Sequence, residues 1–199
     1  MQPAYYENFD EIIKKIWLML DDAVTNRSSQ FRIPVFICGT QNDFDGRIVV
    51  LRKSDQGNNL IQFHSDIRSD KIEKLKSNNK ASLIFYDKEE KIQVRAKVEC
   101  TVNHKNEVTE QSWLKTAHIS RKCYLVDNGP GTESDEPTSG LKPEKDNFDY
   151  TMEESEKGYE NFTVIQCKVK SFEWLYLAAK GHRRARFDLE NDKRIWLVP

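Results

Sequence analysis

Arg47-Ile48-Val49-Val50-Leu51-Arg52, Phe63-His64-Ser65-Asp66, Ser69-Asp70-Lys71 and Gln93-Val94-Arg95 hold the side chains with the most chemistry to offer. Arg47 brings a guanidinium fork, Ser65 a hydroxyl and Lys71 an ammonium. A helix starting near Ser69 adds free backbone N–H groups, and the four together suit the phosphate of a small ligand. Ordinary surface charge on an edge strand is the competing explanation, since most Lys and Arg are solvated. Arg47 and Arg52 stand five apart, so a regular strand turns them to opposite faces and to different ligands. His104 and His118 lack a partner pattern and read as surface or packing residues. No serine sits in a Gly-x-Ser-x-Gly context, which argues against a hydrolase. Cys38, Cys100, Cys123 and Cys167 are far apart, with neither C-x-x-C nor a Cys/His metal spacing, so reduced thiols buried in strands are predicted and no metal is. Trp17, Trp113 and, on pattern alone, Trp174 read as core residues.

The elements that must position these groups show in the hydrophobic periods. Phe9, Ile12, Ile13, Ile16, Trp17, Leu20 and Val24 fall three and four apart and predict an amphipathic helix of about 16 residues covering the end of a sheet. From Pro34 the period shortens. Residues 34–40, 47–53, 60–65, 81–86 and 91–102 are rich in Val, Ile and Phe, separated by turn signals such as Asn42-Asp43, Asp45-Gly46 and Gln56-Gly57-Asn58-Asn59. Residues 69–77 break in as a short surface helix, so a strand runs into a helix N-terminus near Ser65 to Ser69. A second helical pattern covers 106–118, and strand character returns at 162–179, 184–189 and 193–198, the last pair turning at Glu190-Asn191-Asp192. Many short strands with few helices predict a mainly β (α+β) chain, a small antiparallel barrel with peripheral helices, closed so that no long edge stays unpaired.

Charge is uneven along the 199 residues. Between Asp127 and Glu160 eleven acids face Lys142, Lys145 and Lys157, a balance of −8; the total is −1, so the remainder carries +7. Residues 126–159, with their Gly, Pro and acids, are therefore predicted to be a long mobile loop on a single domain spanning 1–199. A dispersed positive body suits an anionic small molecule and shows no basic stripe for nucleic acid. No apolar run is long enough to cross a bilayer and no secretory signal pattern opens the chain, so a cytoplasmic protein is expected.

The order Arg-x-Val-x-Leu-basic, Phe-x-Ser, Ser-x-Lys, Ala-x-Leu-x-Phe and Gln-Val-Arg, followed by Ser171-Phe172-Glu173-Trp174, Arg183-Arg184-Ala185-Arg186-Phe187 and Trp196-Leu197-Val198-Pro199, resembles the pyridoxamine 5'-phosphate oxidase-like family of FMN-binding split barrels. The resemblance covers about 34–102 and 162–199. It implies that Arg47 and Lys71 bind the FMN phosphate with help from Ser65 and the His64 backbone, and that Ile48, Val49, Val50 and Leu51 run along the isoalloxazine. Gln93 would hydrogen-bond the ring, and Trp174 and either Arg184 or Arg186 would approach it from the second subunit of a homodimer. Arg52 stands where the oxidases keep a lysine on the substrate phosphate, and Arg121 partly echoes another substrate contact.

The departures fall mostly on the substrate side. Asp70 replaces an expected phosphate-binding arginine, with Arg68 the neighbour placed to compensate, and no His stands in register within His182-Arg183-Arg184. The resemblance thus implies an FMN-dependent oxidoreductase acting on a small molecule, with no side chain needed as a strong acid or base. The alternative is a flavin-binding module for storage or sensing.

Overall fold

The computed structural model describes residues 4–40, 43–141 and 150–199. Asn42 of one predicted turn and residues 142–149 of the acidic segment lie outside them. Asn8 opens the first helix, α1 (Phe9–Thr25), by accepting the amides of Asp10 and Glu11, and the three-and-four spacing buries Ile12, Ile16, Trp17, Leu20 and Ala23. Trp17 meets Phe172 edge-on at 5.3 Å, so the helix covers the sheet as its apolar face requires.

The described strands are β1 (Val35–Gly39), β2 (Phe44–Ile48), β3 (Leu51–Asp55), β4 (Leu60–Asp66), β5 (Lys80–Asp87), β6 (Ile92–Asn103), β7 (Phe162–Tyr176), β8 (Arg183–Asp188) and β9 (Lys193–Leu197). They form one antiparallel sheet in the order β2-β1-β5-β6-β7-β4-β3, with β8 on β7 and β9 on β8. The split arises on β7. One edge pairs with β6 along its length, while the other takes β4 at Phe162–Lys168 and β8 at Ser171–Tyr176. A register shift between Lys97 and Val98 leaves Lys170 as the extra residue at the division, where a bulge twists the strand.

Two expectations are corrected here. The single strand expected over 47–53 is two strands, because the chain turns a corner at Val49-Val50: β2 pairs with β1 and β3 pairs with β4. The closed barrel is an open ladder ending at β2 and β3, with β9 the end of the branch; among the described residues β2 and β3 are joined by the covalent chain at that corner and by no rungs.

Helix α2 (Asp70–Ser77) follows β4 directly, as expected. After β6 come α3 (Glu107–Leu114) and α4 (His118–Arg121), so the second predicted helix is two pieces. A further helix, α5 (Met152–Glu156), corrects the reading of 126–159 as wholly loop. Thr151 caps it in a reciprocal box with Glu154, Ser155 is buried, and Trp113 donates to Glu156 Oε2 at 2.7 Å. His104 and His118 bond the carbonyls of Glu160 and Thr151, helping to fasten this segment. The reason is a second, small apolar cluster of Trp113, Phe162 and Val164, against which Tyr124 and Tyr159 pack. Cys38, Cys100 and Cys167 are buried in strands, whereas Cys123 is exposed in a helical turn, against expectation. Among the described residues no helix is long and apolar enough to cross a membrane.

Candidate functional site

The end of β4, the turn after it and the start of α2 bring Ser65, Ser69 and Lys71 against Arg47 of β2. The Lys71 ammonium is nine-tenths buried and donates to Ser65 Oγ at 2.8 Å and Ser69 Oγ at 2.6 Å. Burial first, and then the charge of Arg47, lowers its pKa from 10.5 to about 8. Arg47 Nη1 reaches Ser69 Oγ at 3.5 Å, and its Nε is buried without a hydrogen bond. Two cations with hydroxyls and a helix N-terminus between them fit a phosphate monoester, and the orphaned Arg47 Nε has a donor to give.

Carboxylates surround the same cradle. Arg47 pairs with Asp45 and with Asp70, Nη1 lying 2.9 Å from Asp70 Oδ1. Lys74, one turn along α2, is 2.8 Å from Asp43, 3.9 Å from Asp45 and 3.8 Å from Asp70. Arg68 is turned elsewhere: it binds Asp66 through Nε and Nη2 and donates Nη1 to the carbonyls of Val126 and Asp127. The expectation that Arg68 compensates for Asp70 is corrected, since the guanidinium is spent on anchoring 126–127.

The outer sheet face carries a second group. One row of paired residues runs Ile48, Val35, Ile84, Arg95, Glu173, Arg186 and Ile195 across seven strands. Gln93 stands one step along β6, opposite Leu175, whose next partner is Arg184. Glu173 organises this end. Arg184 donates Nε and Nη2 to its Oε1 at 2.9 and 2.6 Å, Arg186 Nη2 reaches Oε2 at 3.2 Å, and Arg95 pairs with it as well. Burial acts to raise the Glu173 pKa, but hydrogen bonds from Arg184, Arg95 and Arg186 bring it down to about 2. Glu173, quoted in the sequence only as part of a motif, was given no site role because its partners come from across the ladder. The chain itself does not join this group to the Arg47 cradle by any described side-chain bond.

Arg52 faces neither group. It lines two adjoining cavities of about 390 and 490 Å³, together with His64, Thr116, Ile119 and Ser120. Its Nε is buried without a hydrogen bond, and burial lowers its pKa. Among the described residues no Asp or Glu lines either cavity, whereas Arg27, Lys53, Lys115 and Lys122 do. Burial, and secondarily the Arg52 charge, depress the His64 pKa from 6.5 to about 3, so the ring is neutral. Tyr124 closes one side and was missed because only the fold brings residue 124 to β4.

Four sequence-derived residues sit elsewhere than expected. Trp174 is 1% exposed and packs at 5.2 Å from Tyr6 and 6.4 Å from Tyr176, so it is a core residue with no face toward an outer ligand. Arg121 is buried and fully engaged: it stacks on Trp113, donates to the carbonyls of Thr116 and Trp113, and pairs with Glu156, leaving no fork for substrate. Val49 and Leu51 point into the core and offer a flavin only their backbone, while Ile48 is exposed and Val50 half-buried.

Residues 16–104 match the family model described as the pyridoxamine 5'-phosphate oxidase FMN-binding domain. Among solved structures, a pyridoxamine 5'-phosphate oxidase-related, FMN-binding protein from Nostoc punctiforme PCC 73102 superposes with a TM-score of 0.68 at 15% identity, covering 100% of both chains. PhzG from Burkholderia lata 383, solved with tetrahydrophenazine-1-carboxylic acid, gives 0.71 at 16% identity over 100% of this chain and 98% of that one. A general stress protein 26-related protein of the pyridoxinephosphate oxidase family from Clostridium acetobutylicum gives 0.56 at 13% identity over 90% and 99%. No curated protein matches the chain. Arg47, Ser65, Lys71 and Gln93 lie within the matched span, whereas Arg121, Trp174, Arg184 and Arg186 lie beyond it. Residues 16–104 thus match a pyridoxamine 5'-phosphate oxidase FMN-binding domain, which supports FMN as the cofactor, and the chain has a split-barrel fold whose sheet is left open.

Proposed function

We propose that the chain acts as one domain of a cytoplasmic, homodimeric, FMN-dependent oxidoreductase of the pyridoxamine 5'-phosphate oxidase type, acting on a small anionic substrate. The observation that carries the reading is the buried Lys71 ammonium held by Ser65 and Ser69 beside Arg47, within the span that matches an FMN-binding domain. Arg47, Lys71 and Ser65 hold the phosphate, with the His64 backbone behind them, and the backbone of 48–51 and Gln93 address the ring. Bound there, the flavin supplies hydride chemistry at N5, and the protein orients the partners and shapes the pocket.

The substrate's anionic group belongs at Arg52. A half-buried guanidinium whose Nε has no hydrogen bond, in a cavity that no described carboxylate lines, attracts an anion and fixes its position. Neutral His64 supplies an imidazole that neither repels a cationic amine nor adds charge. Of the two C-terminal arginines, Arg184 is tied twice to Glu173 and Arg186 once, so Arg186 is the one with donors free to meet a flavin from across the dimer. The exposed apolar strip of Phe44, Ile48, Val35 and Tyr86 is the surface the second copy covers.

The test is direct. Purified protein supplied with FMN should be yellow, with one flavin per subunit, and should bleach anaerobically with NAD(P)H or pyridoxamine phosphate. A yellow protein that neither reductant bleaches is a storage or sensing module, and a protein that takes up no FMN removes the reading altogether.

A further inference from the structure

We propose that Asp70 is a resident anion of the phosphate cradle, a built-in carboxylate that an entering phosphate must displace and that thereby sets the affinity of the site. The inference rests on the reading above that the cradle receives the FMN phosphate.

Asp70 already makes the bonds that a phosphate oxygen would make. Its Oδ1 lies 2.9 Å from Arg47 Nη1 and its Oδ2 accepts from Nη2 at 3.1 Å, a fork-to-fork contact. Oδ1 also accepts the Lys71 amide at 2.8 Å and the Ser69 hydroxyl at 3.4 Å. Guanidinium fork, helix N-terminal amide and hydroxyl are the donor set of a phosphate site, here filled from within. Ser69 stands at the N-cap position, yet its side chain caps no amide. Instead it links the Lys71 ammonium to the Asp70 carboxylate.

Asp70 is also built to leave. Its side chain is 55% exposed, so it can rotate into water without moving the backbone. Lys74 waits one turn along the helix, 3.8 Å from Oδ2, and receives the carboxylate when Arg47 is taken. Asp45 does not share this freedom, being 30% exposed and set between Arg47 and Lys74. Lys71 has the opposite need. Its described hydrogen-bond partners are the two hydroxyls, so a phosphate brings the buried ammonium the anion it lacks while releasing Asp70 to Lys74.

The consequence is an affinity below what the cations alone would give, confined to ligands that carry the phosphate. Asp70→Asn keeps the shape and still accepts the Lys71 amide, but removes the competing charge. Fluorescence titration of the cofactor-free protein should then show FMN bound about tenfold tighter by Asp70→Asn than by wild type, with riboflavin affinity the same within about twofold. Lys74→Met should weaken FMN binding in wild type and have little effect in the Asp70→Asn background, because the displaced carboxylate is gone. FMN affinity that is equal or weaker in Asp70→Asn, or a gain shared by riboflavin, overturns the proposal. If neither protein binds flavin, the FMN reading fails on its own account, and inorganic phosphate decides Asp70: it must raise the Tm of Asp70→Asn more than that of wild type, and equal shifts overturn the role.

Discussion

Lys71 and Ser65 meet at 2.8 Å across the turn that joins β4 to α2, a buried ammonium on a buried hydroxyl. Burial and Arg47 hold that ammonium at a pKa of about 8, so pH titrates the cradle itself. A phosphate dianion binds the charged form. FMN affinity should therefore be greatest between about pH 6, where the phosphate's second proton leaves, and pH 8, and should fall as the pH rises through 8. Equilibrium titrations from pH 6 to 9.5 check this, and Lys71→Met should bind more weakly with the alkaline decline abolished.

Arg47→Ala removes a forked, charge-assisted contact and leaves Asp45 and Asp70 facing the phosphate without their cation. A loss of about 2 kcal/mol, or about thirtyfold in FMN affinity, is expected. Riboflavin affinity should change little. Unchanged FMN binding in this variant would remove Arg47 from the site.

His64 makes stability depend on pH. Its folded pKa of about 3 lies below the unfolded 6.5, so the neutral ring stabilises the fold. That contribution is full above pH 6.5 and is lost as the pH falls toward 3. Between pH 6.5 and 5, before most carboxylates titrate, the unfolding free energy should drop by about 2 kcal/mol. Urea melts at the two pH values measure it, and His64→Gln should show a much smaller difference.

Glu156→Ala should destabilise the protein by about 2 kcal/mol, because it strips the buried Arg121 guanidinium and the Trp113 N–H of their acceptor together. The same change in Glu153 should be nearly silent. Equal melting temperatures for the two variants would show that α5 does not brace the Trp113 cluster.

Phe44→Asp and Ile48→Asp place charge on the exposed strip of the edge strand β2, where Phe44 is 73% and Ile48 63% exposed. Both should leave the fold intact and convert a dimer of 23.3 kDa chains into monomers by sedimentation, with flavin lost in parallel. A monomeric wild type that retains flavin would refute the shared site.

Elements with local signals were legible in the chain alone. Amphipathic spacing set α1, the alternation of β-branched residues set most of the strands, and Asn59 and Asp192 occupy the left-handed turn conformations that their turn signals called for. The sequence also named Arg47, Ser65 and Lys71, which the fold gathers because 65–71 are near neighbours in the chain and α2 packs on β1, the ladder partner of β2.

Pairing and burial depend on contacts between residues distant in the chain. Periodicity cannot show that residues 47–53 turn a corner, since both halves keep strand spacing while pairing with different neighbours. Composition marked 126–159 as loop, yet α5 folds because it finds a cluster assembled from residues distant in sequence. Trp174 and Glu173 are adjacent in the chain, and a strand sends one into the core and the other out to three arginines. Arg121 and Arg52 look alike in the sequence. The fold spends one on Glu156 and leaves the other unpaired in a cavity, because an ion pair depends on which opposite charge the topology brings within reach.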